Sequence, residues 1–329
     1  MKRIFRFLLL VCLGTADAAE PPGYYSTASG LSGAALRTAL HNIIKGHTVI
    51  TYANTRQSLE FLDEDPADTT KLILLYEHTS SLKSFFVNGS NGGWNREHCW
   101  PNSLGIDDAL PAYSDLFNLR ACGSISNADR DNLYYDESTT GAGYDNNAGT
   151  NYSLCTQDSD SWEPPFDMKG DLARSMFYMD IRYEGGGEPN LTLTDNIAAI
   201  SVSNANMGRL STLLIWNFID PVDSTERTRA ERAFGYQHNR NPFIDHPEWV
   251  EAIYGEFFKL TAAANGTMLT LSWPAIVPGD LGFIEVSTDL ITWTASALTI
   301  VDVSGKHTAS VPLTPTPRYY RLKLTARAG

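Results

Sequence analysis

The chain is short of positive charge. Its 329 residues hold 25 lysines and arginines against 38 aspartates and glutamates, a formal charge of −13. That balance argues against a bulk electrostatic nucleic-acid binder, whose footprint is basic. It leaves room for an enzyme that engages phosphate through a metal ion and a few local arginines. Long apolar runs are also missing. The run Phe7 to Leu13 is too short to span a bilayer, and no later segment is long and apolar enough to do so. Cysteine is scarce, with four in the chain, one of them (Cys12) inside that first run. The other three allow a single disulfide in any of three pairings. No long-period repeat and no EF-hand calcium loop is present.

What is there begins with a leader. Lys2, Arg3 and Arg6 precede the apolar run, and Ala16-Asp17-Ala18 follows it with small residues for cleavage. A signal peptide is expected over 1–19, which makes the protein secreted or periplasmic, with no stable membrane association. The leader carries +2 from Lys2, Arg3, Arg6 and Asp17, which takes −13 to −15 in the mature chain. Export permits a disulfide. Cys122 with Cys155 is the preferred pair, since it would tie down the polar loop between them, leaving Cys99 a buried thiol. No protein partner is predicted.

Apolar periodicity predicts helices over 32–45, 168–183, 206–218, 221–235 and 247–260. Ser32 is the expected cap of the first. In the second, Leu172, Met176, Met179 and Tyr183 form one face, with Lys169, Asp171, Arg174 and Arg182 opposite. Asp220 is the expected cap of the fourth, with Pro221 at its first position. Residues 71–77 read as a buried strand, 136–161 as a long polar loop, and 239–247 as non-helical because of its two prolines. The fold class is α+β. A large domain over 20–261 is followed by a linker at about 262–266. A small all-β sandwich over 262–329 then shows short alternating segments separated by turns.

The most informative segment is Trp94-Asn95-Arg96-Glu97-His98-Cys99-Trp100-Pro101-Asn102-Ser103. Adjacent side chains on a strand point to opposite faces. Glu97 and His98 therefore cannot grip one metal as a flat pair on a regular strand. Either the backbone bends there, or one residue holds a cation and the other moves a proton. That division suits phosphodiester hydrolysis, which needs a hard cation with oxygen ligands and a base titrating near neutral pH.

Further blocks occur in order: Asp115-Leu116-Phe117-Asn118-Leu119, Asn127-Ala128-Asp129-Arg130-Asp131-Asn132, Lys169-Gly170-Asp171-Leu172-Ala173-Arg174, Leu214-Ile215-Trp216, and Asn239-Arg240-Asn241-Pro242-Phe243-Ile244-Asp245-His246-Pro247-Glu248. With Asn95-Arg96-Glu97-His98, they resemble the bacterial secreted endonuclease I family, non-specific nucleases of the ββα-metal (His-Me finger) type. The resemblance implies a two-stranded element and helix bearing the site. It implies His98 as general base, and Glu97 and Asn127 as ligands of a Mg²⁺-like ion, with Ca²⁺ or Mn²⁺ as alternatives. The products would carry a 5′-phosphate, and the substrate would be DNA as well as RNA, held through phosphate. Arg130 is the first choice for the phosphate-binding arginine and Arg120 the second. Arg96, Asp115, Asn118 and Arg120 are candidates for supporting or substrate contacts. Phe117 stands where the family often has histidine and is read as packing.

Plainer readings compete for other residues. Arg227, Arg229 and Arg232 read equally as a phosphate-binding strip or as a solvated helix face. Arg240 reads as structural within its loop, and His246 as a loop-fixing partner of Asp245. The alternatives for the whole chain are an extracellular ribonuclease with little activity on DNA and a non-catalytic surface-binding protein.

Overall fold

The structure, a computed structural model, describes residues 20–90, 92–138, 143–146, 150–202, 204–255, 260–274, 282–303, 306–314 and 318–324. The leader expected at 1–19 lies outside them.

Helix α1 (Gly33–Ile44) buries Leu36, Leu40 and Ile44, one stripe at helical spacing. Ser32 holds its N-cap position without a side-chain capping bond. Helix α2 (Tyr52–Leu62) is capped by Thr51, whose side chain accepts from Asn54 N. The apolar run at 71–77 is a strand only over β1 (Lys71–Ile73), antiparallel to β2 (Ser80–Leu82). Beyond it Leu74 N donates to Thr79 O, and Leu75 N donates to Ala121 O at 2.9 Å.

Strands β3 (Trp94–His98) and β4 (Leu119–Gly123) pair antiparallel, with Glu97 opposite Arg120 and His98 opposite Leu119. Helix α3 (Ser124–Arg130) starts where β4 ends and packs on β3. The stretch expected as a polar loop contains ordered sheet instead. Strands β5 (Tyr134–Tyr135), β6 (Gly143–Asn146), β7 (Thr150–Gln157) and β8 (Ser161–Glu163) assemble in the order β5-β8-β7-β6. The polar residues serve its turns: the Asp158 carboxylate accepts from Asp160 N and Ser161 N between β7 and β8. The expected Cys122–Cys155 disulfide is absent. Cys99, Cys122 and Cys155 are free and buried, with Cys155 Sγ 3.5 Å from the Tyr76 carbonyl and Cys122 Sγ 3.4 Å from Ser126 Oγ.

Helix α4 (Lys169–Arg182) lies where predicted, but it is no amphipathic surface helix: all 14 of its residues are buried. Its charges are carried inward by partners. Lys169 meets Glu137 and Glu163, Arg174 meets Glu226 at 2.6 Å, Arg182 meets Glu188, and Asp180 meets Arg37. Short parallel strands β9 (Thr192–Leu193) and β10 (Asn206–Met207) precede α5 (Leu210–Ile219). Helix α6 (Ser224–Gln237) is capped by Asp223 rather than Asp220. Asp220 is occupied elsewhere, accepting from Gly170 N at 2.7 Å. The two-proline segment does hold one helical turn, α7 (Pro242–Asp245), because Asn241 caps it and Pro242 sits where no intrahelical donor is needed. Helix α8 (Glu248–Tyr254) follows.

The C-terminal part is sheet-rich. Most of the expected linker is strand β11 (Thr261–Asn265), paired to β12 (Met268–Pro274). Strands β13 (Gly282–Ser287), β14 (Thr294–Ala295), β15 (Val301–Val303), β16 (Lys306–Pro312) and β17 (Tyr319–Leu324) complete two sheets, ordered β11-β12-β16-β15 and β14-β13-β17. Leu271, Trp273, Ile284, Ala309 and Val311 are buried and belong to the same apolar cluster as the helices. The architecture is α+β with a sheet-rich C-terminal region.

The buried charges make one expectation quantitative. Arg174→Met should strand Glu226, whose carboxyl burial already pushes up, and lower the unfolding free energy by roughly 3–5 kcal/mol. Replacing Glu226 with leucine in the same chain should restore much of that loss. Urea denaturation of the three proteins checks both.

Candidate active site

Strand alternation sorts the key side chains onto two faces. Glu97 and Asn95 face α3. Arg96 and His98 face the start of α2, where the His98 ring stacks on Tyr52 with centroids 5.7 Å apart, and the Arg96 guanidinium lies 3.7 Å from the centre of the same ring. The backbone stays a regular strand through both residues.

Cys99 N donates to Asn118 O, which fixes the ladder's phase. In that phase the carbonyls of Arg96 and His98 point away from β4. Helix α3 fills this open edge from two positions three residues apart. Asn127 Nδ2 donates to Arg96 O at 3.0 Å and to Asn95 Oδ1 at 2.9 Å. Arg130 donates to His98 O at 3.0 Å, Cys99 O at 2.8 Å and Glu97 Oε1 at 3.1 Å. The two acceptors fix the orientation of the Asn127 amide. Its Oδ1 is left without a protein partner among the described residues.

Glu97 is 2% exposed. Burial pushes its carboxyl up to about 7, against the opposing pull of Arg130 and the Tyr76 hydroxyl. Tyr76 Oη donates to Oε1 at 2.8 Å, so Arg130 and Tyr76 share one oxygen. Oε2 has no protein hydrogen bond among the described residues. The two uncommitted oxygens, Glu97 Oε2 and Asn127 Oδ1, are hard donors of the kind Mg²⁺ or Ca²⁺ takes. No group of three His, Cys, Asp or Glu side chains able to hold a metal occurs among the described residues. Two oxygen donors by themselves would leave most positions of such an ion to water.

His98 is 9% exposed. Its Nε2 lies 2.9 Å from Tyr113 O. A carbonyl only accepts, so Nε2 carries the hydrogen and Nδ1 keeps the lone pair. Nδ1 has no protein partner among the described residues and is not one of the unpaired polar atoms sealed from solvent. Burial drives the imidazole down to about 4, with the Tyr113 bond opposing. The ring is therefore neutral near pH 7 with its lone pair available, but burial sets its titration below the near-neutral range expected of the base.

The remaining candidates stand further back. Arg130 is completely buried, with its guanidinium 4.6 Å from the centre of the Tyr135 ring, so its reach is spent on Glu97 and two carbonyls. Arg120 is buried against Asp171 at 3.1 Å. Asp115 accepts from Tyr178, Tyr183 and Gln237, and Asn118 brackets the Trp100 backbone. Phe117 packs on Tyr178. Arg229 is not on a solvated face, since it is buried on Asp63 and the carbonyls of Leu116 and Leu119. Arg240 is tied to Asp245 within its loop. His246 pairs with Glu20 and Glu248 instead of Asp245, whose oxygens Tyr25 and Arg240 occupy. Sequence reasoning missed Tyr52, Tyr76, Glu77 and Tyr113. Only the Tyr76-Glu77 pair closing an apolar run offered a signal.

Comparison with known proteins gives this arrangement its class. The sequence profile of Endonuclease I matches residues 32–248. An extracellular ribonuclease of Bacillus amyloliquefaciens is 46% identical over 240 residues, 72% of this chain and 80% of the relative. An extracellular ribonuclease of Bacillus subtilis (strain 168) is 42% identical over 254 residues, 75% and 83% of the two chains. Endonuclease-1 of Buchnera aphidicola subsp. Acyrthosiphon pisum (strain APS) is 29% identical over 135 residues, 40% and 44%. The protein is a hydrolytic nuclease. It belongs to the endonuclease I family.

Arg130→Met separates two roles. It removes the donor from Glu97 and from the carbonyls of His98 and Cys99, so stability should fall by roughly 3 kcal/mol or more, read from the urea midpoint. An unchanged midpoint with lost activity would instead return Arg130 to direct phosphate binding.

Proposed function

We propose that the chain is a secreted, sequence-non-specific endonuclease that hydrolyses phosphodiester bonds of DNA and RNA to 5′-phosphate products. The observation that carries this reading is His98: pinned by Nε2 to the Tyr113 carbonyl, neutral, with a free Nδ1 one residue from the Glu97 carboxylate. Secretion is supported by the basic, apolar and small-residue layout of residues 1–19 and by relatives named extracellular. No helix among the described residues is long and apolar enough to cross a membrane.

In this reading Nδ1 of His98 takes the proton from the attacking water. The Tyr113 carbonyl then holds the hydrogen on Nε2 and steadies the charged ring. Glu97 Oε2 and Asn127 Oδ1 would hold a Mg²⁺-like divalent cation. Bound there, such a cation neutralises the phosphate and stabilises the charge that develops on the leaving oxygen. Arg96, on the His98 face and half-buried, is better placed than Arg130 or Arg120 to meet a phosphate. The substrate is gripped through its backbone, so little base reading follows. Water is the nucleophile, so a ribose 2′-hydroxyl is not required and DNA has what the chemistry needs. The second reading, a ribonuclease with little DNase activity, is favoured by the names of the two Bacillus relatives.

His98→Ala should lower cleavage of supercoiled DNA and of RNA by at least about 10²–10⁴-fold, with an unchanged circular dichroism spectrum and unchanged metal binding. EDTA should stop the wild-type enzyme and added Mg²⁺ or Mn²⁺ restore it. Cleavage persisting in His98→Ala with excess Mg²⁺ would remove His98 as the base. RNA cut while DNA stays intact would select the second reading.

A further inference from the structure

We propose that Glu77 is a positioning residue for the cation site: it fixes the start of α3 and, through α3, the carboxamide of Asn127. The proposal rests on the reading of Glu97 and Asn127 as the ligands.

The argument begins at the outer edge of β4. In the ladder's phase, the polar backbone atoms of Ala121 and Gly123 point away from β3. Leu75 N takes the carbonyl of Ala121 at 2.9 Å. Two residues on, the Glu77 side chain takes the next backbone group, with Oε2 accepting from Gly123 N at 3.3 Å. Its Oε1 accepts from the hydroxyl of Ser126, the residue before Asn127. One carboxylate thus spans the junction from β4 to α3, where Gly123 is the N-cap and makes no side-chain capping bond of its own.

Gly123 shows that the approach is built in. A Cβ at this position would lie 2.0 Å from Glu77 Oε1 and 2.8 Å from its carboxyl carbon. The φ of Gly123 is −57°, which any residue adopts, so the backbone does not require glycine here. The carboxylate does.

The adjoining residue completes the arrangement. Tyr76 donates to Glu97 Oε1 at 2.8 Å and lies 2.9 Å from the Tyr135 hydroxyl. Consecutive residues therefore reach the two proposed ligands: Tyr76 orients Glu97 on β3, and Glu77 orients Asn127 through α3. Contacts that orient ligands in this way commonly affect metal affinity by about 10–100-fold. Burial raises the Glu77 carboxyl, consistent with its place inside the structure and not on its surface.

The test is a double-mutant cycle read by metal binding. Divalent-ion affinity is measured calorimetrically with Mn²⁺ on wild type, Glu77→Ala, Asn127→Ala and the pair, together with the Mg²⁺ dependence of cleavage. Glu77→Ala should weaken Mn²⁺ binding about 10-fold or more, yet add little on top of Asn127→Ala, because it acts through that residue. Gly123→Ala, which displaces the carboxylate, should reproduce the weakening. Ser126→Ala, which deletes a single hydroxyl, should give a smaller loss in the same direction and decides the matter if Glu77→Ala does not fold. Lowered melting temperature with unchanged Mn²⁺ affinity, or effects of Glu77→Ala and Asn127→Ala that multiply, would overturn the proposal. If Glu97→Gln and Asn127→Ala also leave Mn²⁺ binding unchanged, the reading of the ligands fails first.

Discussion

The site depends on the closure of one strand edge. Strand β3 pairs with β4 on one side and on the other meets only a single bridge from Phe86 at Trp94, so the carbonyls of Arg96 and His98 there need donors. Helix α3 supplies them with Asn127 and Arg130. The same two side chains that satisfy the edge also meet the Glu97 neighbourhood, Arg130 directly and Asn127 beside it. Backbone satisfaction and site assembly are thus one event. A buried carbonyl left without a donor is costly, so the helix is held to this position whether or not a substrate is present.

Alternation along β3 then divides the work. Residues 95 and 97 address α3, where polar partners leave two oxygens uncommitted. Residues 96 and 98 address Tyr52 and Tyr113, where burial keeps the imidazole of His98 neutral and the Tyr113 carbonyl holds it in one tautomer. Both sets serve one strand segment without any bend in it.

The acidic composition acquires a meaning inside the fold. Arg120, Arg130, Arg174, Arg182, Arg229 and Arg240 are buried on carboxylates. These six are spent inside the fold and add nothing to an open basic surface. The cysteines follow the same logic of enclosure: Cys99 lies in the interior, where burial pushes its thiol up to about 12 and makes it a poor nucleophile.

The sequence determined what is local. Apolar spacing set α1, α4 and the approximate extent of α5 and α6. The order of short motifs named the family, and the adjacency of Glu97 and His98 left two options, a bend in the strand or separate duties. Tertiary structure decided what depends on residues distant along the chain. Asp223 and not Asp220 caps α6 because Gly170 N occupies Asp220. The polar segment after residue 136 forms sheet because its partners lie across turns. Arg130 faces inward because the carbonyls of His98 and Cys99 and the carboxylate of Glu97 lie there. Tyr76, Glu77 and Tyr113 join the site for the same reason. Periodicity reports which side of an element is apolar, whereas the identity of a polar group's partner is fixed only when elements far apart in sequence pack together and leave it no water.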